Sequence, residues 1–149
     1  MATRTLARFL LAPMMAVALA ACGDDGGDGG NGADASTDAD VNATVADFSI
    51  TLDPGSVAAG EVTFSIANDG LSTHEFVVFK TDLAPDALPV DGGVVPEDDP
   101  SLTNAGEAED IGSGSEVSLA LTLDAGSYVV ICNVPSHYEA GMRTALTVA

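Results

Sequence analysis

Three side chains near the end of the chain carry a thiol, an imidazole and a thioether at five-residue steps: Cys132, His137 and Met142. Thiolate and thioether sulfur suit Cu(I), and imidazole nitrogen accepts either oxidation state of copper. A trigonal copper site needs two imidazoles, one thiolate and a weak, distant thioether, so this segment lacks one imidazole. The sequence contains two histidines, and the second, His74, would complete the set.

Two predicted strands should bring the distant histidine to the cysteine. His74 opens a strand that continues through the apolar run 76–79, and Cys132 closes a strand predicted over 128–132. If these strands run antiparallel, His74 and Cys132 lie at the same end of the sheet. The loop after Cys132 must then fold back over that end, and Gly141 permits the turn that this requires.

The motif Cys-x4-His-x4-Met, the strand 128–131 before it and the histidine within 73–78 together resemble the cupredoxin, or blue copper, family. The resemblance covers residues 41–149. The length of the ligand loop is similar to that of the auracyanin, rusticyanin and sulfocyanin types. No single residue of the motif is specific, because a lone buried thiol, histidine or methionine is usually explained by packing. The four together favour a metal site.

The resemblance implies one type 1 copper ion per domain and a Greek-key sandwich. It implies that the electron leaves through an apolar patch around His137. Two positions depart from the pattern: Glu75 stands where many cupredoxins have Asn or Ser, and Ser136 stands where Gly is common. The implied ligands are His74, Cys132, His137 and Met142.

The first 21 residues are predicted to be an export signal. Arg4 and Arg8 precede an apolar run over 9–21 that is short for a membrane span. The run ends in Leu-Ala-Ala-Cys, which resembles a bacterial lipobox and predicts that Cys22 is lipidated. Ordinary cleavage at 18–20 is the alternative. We therefore expect a protein anchored by lipid to a bacterial membrane, facing the periplasm or the cell exterior.

Residues 22–40 are predicted to be a linker. The segment is nearly all Gly, Asp, Ala, Ser and Thr, so it has too little apolar surface to offset the entropy of ordering its backbone. Neither Cys22 nor Cys132 has an evident disulfide partner, because one belongs to the signal and the other to the ligand loop. The domain proper is expected over 41–149.

The remainder predicts an all-β, two-sheet antiparallel sandwich of about seven short strands. Apolar residues alternate with polar ones in three stretches, and turn residues follow each stretch. A long acidic loop is expected over 81–115, with a short edge strand at 107–111. The alternating apolar residues are Phe48, Ile50 and Leu52; Val62, Phe64 and Ile66; and Val117, Leu119, Leu121 and Leu123.

Acidic residues dominate the charge, with 23 Asp and Glu against 4 Lys and Arg. Once the leader is removed, Lys80 and Arg143 are the remaining bases. Such a surface repels phosphate, which argues against nucleic acid as a partner. It favours redox partners with a basic docking surface, in a salt-dependent way. The alternative is that the acids only keep an exported protein soluble.

The leading hypothesis is a membrane-tethered, monomeric single-electron carrier that cycles between Cu(II) and Cu(I). An enzyme is not expected: a second copper centre would need further imidazoles, and a Cys-His protease would need its histidine from a distant segment. Two alternatives stay open. The protein could buffer or deliver copper, or it could be a metal-free interaction module on the same fold.

Overall fold

The structure, a computed structural model, describes residues 39–149. The predicted leader, Cys22 and most of the predicted linker lie outside the described residues. Within 39–149, no helix is long and apolar enough to cross a membrane. In chain order the elements are β1 (Val41–Ala46), β2 (Ser49–Asp53), β3 (Ser56–Val57), β4 (Gly60–Asn68), β5 (His74–Lys80), β6 (Thr103–Ile111), β7 (Glu116–Leu123), β8 (Gly126–Ile131), α1 (His137–Ala140) and β9 (Arg143–Val148).

The strands form two sheets, with the orders β2-β1-β4-β7 and β3-β9-β8-β5-β6. The predicted all-β sandwich is confirmed, but the sheets are mixed rather than purely antiparallel. β1 pairs with β4 in parallel, and β3 pairs with β9 in parallel. The reason is a crossover: after the β1–β2 hairpin the chain passes to β3 in the other sheet and returns to place β4 beside β1.

The main core lies between the two sheets. The rings of Phe64 on β4 and Phe76 on β5 are 5.5 Å apart across this layer, and both side chains are fully buried. Burying such a side chain stabilises a fold by about 1.5–3 kcal/mol. On β7 the predicted alternation is confirmed, since Leu123 is buried and the other alternate apolar residues pack against the core.

A second apolar cluster covers the outer face of β5 and β8. Val77 and Phe79 point away from the main core and pack with Leu88, Val95 and Leu102. Those three residues belong to the connection 81–102, which therefore covers the sheet. The uninterrupted apolar run of β5 is explained by burial on both faces. The predicted long loop is shorter than expected, because β6 begins at Thr103 rather than at residue 107.

One predicted core position is wrong. The alternating pattern over 48–52 places Phe48 on the same face as Ile50, yet Phe48 is 62% exposed and Ile50 is buried. It lies in the two-residue connection between β1 and β2, where Ala46 pairs with Ser49. Its φ of 70° belongs to a turn rather than a strand. The strand starts after Phe48, so its side chain leaves the alternating pattern. The sequence interpretation also missed β1 itself.

Candidate metal centre

The pairing of β5 with β8 places two candidate ligands at the same end of the sandwich. The two strands run antiparallel, with Val77 opposite Ile131. His74 is the first residue of β5 and Cys132 follows the last residue of β8. The predicted juxtaposition is confirmed. Both residues are fully buried.

Three side-chain atoms converge at this end. The Nδ1 atoms of His74 and His137 are 3.2 Å apart. The Sγ atom of Cys132 lies 3.8 Å from Nδ1 of His74 and 3.4 Å from Nδ1 of His137. Of the three residues, His137 is the partly exposed one. Two imidazole nitrogens and one sulfur therefore face a common point.

The size of this triangle fits a first-row metal ion. A point equidistant from three atoms with these separations lies about 2.0 Å from each of them, close to the bond lengths of about 2.0–2.3 Å that imidazole and thiolate form with Zn²⁺. Donors of this kind suit copper, whereas magnesium and calcium prefer oxygen. The donor set and its spacing are those of a metal site.

Backbone hydrogen bonds connect Met142 to two residues of the triangle. Its carbonyl accepts a hydrogen bond from the N–H of Cys132 at 3.1 Å, and its own N–H donates to the carbonyl of His137 at 3.1 Å. The side chain is fully buried. The fold thus brings the fourth candidate residue to the site, and its role as the axial thioether ligand stays a prediction.

The charge states before metal binding follow from burial. Burial lowers the pKa of His74, the nearby His137 lowers it further, and Asp47 opposes both effects. Burial also raises the pKa of the Cys132 thiol, while backbone N–H groups of Glu75 and Val134 oppose this. Both shifts favour the neutral forms. A metal ion must therefore displace the thiol proton when it binds.

The backbone beside one ligand supports another. The N–H of Glu75 donates a hydrogen bond to Sγ of Cys132 at 3.3 Å. The carboxyl group of Glu75 has a raised pKa, chiefly because of burial and then because of nearby acids, with Glu109 first and Glu97 second. Glu75 thus provides the backbone donor, and its side chain adds negative charge near the sulfur.

The connection 81–102 holds the ligand loop in place. The side-chain amide of Asn133 accepts from the N–H of Val95 at 2.8 Å and donates to its carbonyl at 3.0 Å. The hydroxyl of Tyr138 accepts from the N–H of Leu88 at 3.0 Å and donates to the carbonyl of Pro85 at 2.9 Å. These bonds fix the loop on either side of His137, so little of it needs to order when metal binds.

Two backbone conformations shape the same loop. Gly141 has a φ of 120°, so the prediction that glycine permits this turn is confirmed. Ser136 has a φ of 70°, in the left-handed region, and its side chain does not cap the short helix that follows. The left-handed conformation explains why glycine would suit position 136.

Sequence reasoning missed two supporting residues. Asn133 has no signal beyond its position next to Cys132. The Oδ1 atom of Asp47 lies 3.3 Å from Nε2 of His74. Asp47 precedes that histidine by 27 positions and lies in the connection between β1 and β2, in the other sheet. Cys22, the predicted lipidation site, lies outside the described residues.

A β-sandwich with a His-Cys-His triangle at one end, in which one histidine and the cysteine are buried and the second histidine is partly exposed, is the arrangement of a blue copper protein. Residues 36–149 match the family described as copper binding proteins, plastocyanin/azurin family. The chain belongs to this family, and its cofactor is copper. Comparison with curated protein sequences gives no match.

Solved structures with a similar fold include auracyanins and rusticyanin. Reduced auracyanin from Roseiflexus castenholzii has a TM-score of 0.54 and 23% identity, over 72% of this chain and 94% of the other. Auracyanin B has a TM-score of 0.53 and 23% identity, over 73% of this chain and 87% of the other. Rusticyanin from Thiobacillus ferrooxidans has a TM-score of 0.53 and 16% identity, over 72% of this chain and 76% of the other. At these identities the likeness is one of fold.

Proposed function

We propose that the protein is a single-electron carrier whose copper ligands are His74, Cys132, His137 and Met142. The observation that carries the proposal is the triangle formed by two Nδ1 atoms and one Sγ atom, with sides of 3.2, 3.4 and 3.8 Å. Bound copper would supply a one-electron Cu(II)/Cu(I) couple. The protein supplies two imidazoles, one thiolate and a weak thioether, a set that suits both oxidation states.

The surroundings of the site favour electron transfer over metal delivery. His74 and Cys132 are fully buried, so an acceptor protein would have little access to the metal. The two hydrogen bonds between Asn133 and Val95, and the hydrogen bond from Glu75 to Cys132, keep the metal ligands in one arrangement. A frame that changes little between oxidation states favours fast electron transfer. The chain has two histidines, and both are assigned, which leaves none for a second copper centre.

The partly exposed end of the site is the proposed route for the electron. Leu71, in the loop before His74, is 89% exposed, and Phe48 is 62% exposed. Phe48 lies close to the ligand loop, because a Cβ at Gly141 would be 3.1 Å from its carbonyl oxygen. Leu71 is held near Phe48, because its N–H bonds to the adjacent residue Asp47. Exposed apolar side chains at the metal end of the domain suit transient docking.

We propose partners with a basic surface. The sequence has 23 acids against 4 bases. Burial and then the charges of four nearby acids raise the pKa of Glu75; these acids are Glu109, Glu97, Glu107 and Asp110. Glu75 itself acts through its charge on the Cys132 thiol, so part of the negative charge lies near the sulfur. Complementary charge raises the rate of encounter, and salt screens this effect.

Anchoring through Cys22 belongs to the same proposal. It is supported by the lipobox-like Leu-Ala-Ala-Cys and by the Gly-rich and Asp-rich segment after it. The 18 residues from 23 to 40, as a flexible coil, would span roughly 20–25 Å. The domain would then reach partners at the membrane surface. Replacement of Cys22 by Ser should release the protein from membranes, whereas continued membrane association would contradict the lipid anchor.

Electron transfer and copper delivery are separated by one experiment. The Cu(II)-loaded protein is mixed with a reduced, basic c-type cytochrome, and the oxidation of haem is followed by stopped flow. We expect one electron per protein, a rate that falls as salt rises, and copper that stays bound. An acidic c-type cytochrome is the control and should react more slowly. Loss of copper to a Cu(I) chelator without electron transfer would support delivery instead.

A further inference from the structure

The side of the His74 ring that faces away from the donor triangle meets a carboxylate. Nε2 of His74 is buried and has no partner with hydrogen-bond geometry among residues 39–149. The Oδ1 atom of Asp47 lies 3.3 Å from it, within ion-pair distance. Asp47 is in the connection between β1 and β2, in the sheet opposite to β5. The two residues therefore link the two sheets at the metal end.

The position of the Asp47 carboxylate is fixed by the loop before His74. Its Oδ2 atom accepts the N–H of Leu71 at 3.2 Å, and its Oδ1 atom accepts the N–H of Ser72 at 3.4 Å. Gly70 makes this close approach possible, because a Cβ there would lie 2.8 Å from Nε2 of His74 and 2.9 Å from Oδ1 of Asp47. The Asp47 side chain keeps 35% of its surface exposed, while the His74 side chain has none.

The carboxylate decides which ring nitrogen of His74 carries the proton. A neutral imidazole has one N–H, and an ionised carboxylate can only accept. The proton is therefore favoured on Nε2, beside Asp47. Nδ1 then keeps its lone pair, directed at Nδ1 of His137 and Sγ of Cys132. Carboxylates commonly fix the tautomer of metal-binding histidines in this way and increase the basicity of the ring.

We propose that Asp47 is the positioning residue for His74. It holds the ring as the Nε2–H tautomer before metal arrives. After copper binds, its negative charge stabilises Cu(II) relative to Cu(I) and so lowers the reduction potential; this second part rests on the proposed function. Asp47 acts through His74 and touches no metal itself.

Two variants separate the charge of Asp47 from its hydrogen bonds. Asp47→Asn removes the charge but keeps an oxygen that can accept from His74 and from the loop N–H groups. Asp47→Ala removes both. Asp69→Asn is the control, because Asp69 is an exposed acid in the turn after β4 and its substitution changes the net charge by the same amount.

The first measurement uses the metal-free protein. Imidazole ¹⁵N spectra should show His74 as the Nε2–H tautomer in the wild type, in Asp47→Asn and in Asp69→Asn, and as a mixture of tautomers in Asp47→Ala. An unmixed Nε2–H tautomer in Asp47→Ala would overturn the role of Asp47. This result does not depend on whether copper cycles.

The second measurement uses the copper-loaded protein. Both Asp47 variants should bind Cu(II) about 10–100-fold more weakly and should have a higher midpoint potential, while Asp69→Asn matches the wild type. Unchanged affinity and potential in Asp47→Asn, or an equal shift in Asp69→Asn, would overturn the electrostatic role. A wild type that binds no copper would refute the proposed function and leave the tautomer result to decide the role of Asp47.

Discussion

The backbone N–H of Glu75 donates a hydrogen bond to Sγ of Cys132 across 3.3 Å. This bond ties the residue after one candidate ligand to the sulfur of another, so β5 and the ligand loop form one unit. Hydrogen bonds to an anionic acceptor are stronger than those between neutral groups, so this one stabilises the thiolate over the thiol. Because the donor is backbone, the Glu75 side chain can be replaced without losing it.

Replacement of Glu75 by Gln should stabilise the metal-free protein at neutral pH. Burial, and then the nearby acids, raise the pKa of Glu75, so the folded chain binds this proton more tightly than the unfolded chain. Stability therefore falls as pH rises from the unfolded-state pKa through the folded-state pKa. Denaturant unfolding at pH 7 should show Glu75→Gln more stable by up to about 1 kcal/mol, with the difference lost below about pH 4.

The control for this pH dependence is Glu61→Gln, at an exposed acid near the start of β4. It should change stability little at either pH. A Glu75→Gln variant that is less stable than the wild type at pH 7 would contradict the unfavourable charge at position 75. A change in the free energy of unfolding that is equal at pH 7 and below about pH 4 would contradict it as well.

Replacement of Met142 by Leu should retain copper and raise the midpoint potential. Leucine fills a similar buried volume but removes an electron-pair donor. A thioether is compatible with Cu(I), yet its lone pair stabilises the more highly charged Cu(II) to a greater extent, so its loss raises the potential. Leu146→Met, a swap of similar size at a buried position of β9, is the matched control and should leave the potential unchanged. If Met142→Leu has the wild-type potential, another group occupies the axial position.

Copper affinity should increase with pH. Burial raises the pKa of the Cys132 thiol, so near neutral pH the metal displaces one proton from sulfur. Competition with a Cu(I) chelator should show affinity rising about tenfold per pH unit between about pH 7 and pH 8.5. The uptake of metal should release one proton, measurable by calorimetry in buffers of different ionisation enthalpy. An affinity independent of pH would mean that the thiol is already ionised or is not a ligand.

Replacement of Ser136 by Gly should stabilise the domain. Ser136 has a φ of 70° and its side chain makes no capping hydrogen bond. The left-handed conformation costs a residue with a Cβ about 1–2 kcal/mol. The greater unfolded-state entropy of glycine offsets part of the gain from removing this cost. We expect a gain of up to about 1 kcal/mol in denaturant unfolding. Ser118→Gly, at an exposed position within β7, should be destabilising. Losses of equal size in both variants would refute the strain at position 136.

Much of the site could be predicted from the sequence because three ligand candidates are close in the chain. The even spacing of Cys132, His137 and Met142 is visible without a structure, and the scarcity of histidine leaves His74 as the remaining imidazole. The supporting groups could not be predicted. Asp47 reaches His74 through the packing of two sheets, and no local pattern encodes that contact.

The strands were predicted where alternation was uninterrupted, as on β7, and missed where it was short. The pattern of Val41, Ala43 and Val45 contains a small residue and directly follows the Gly-rich segment, so alternation alone does not identify β1. Phe48 continued an alternating pattern across a turn, and periodicity alone does not mark where a strand ends. The parallel pairing of β1 with β4 depends on a crossover through the other sheet, which alternation does not report.

The most direct test of the copper assignment is a Cu(II) titration of the metal-free protein and of Cys132→Ser, followed by visible absorption. The wild type should develop an intense thiolate-to-copper charge-transfer band that saturates at one equivalent. Cys132→Ser should keep the circular dichroism of the folded sandwich and lose the band completely. A wild type that stays colourless, or a Cys132→Ser variant that keeps the colour, would contradict the account.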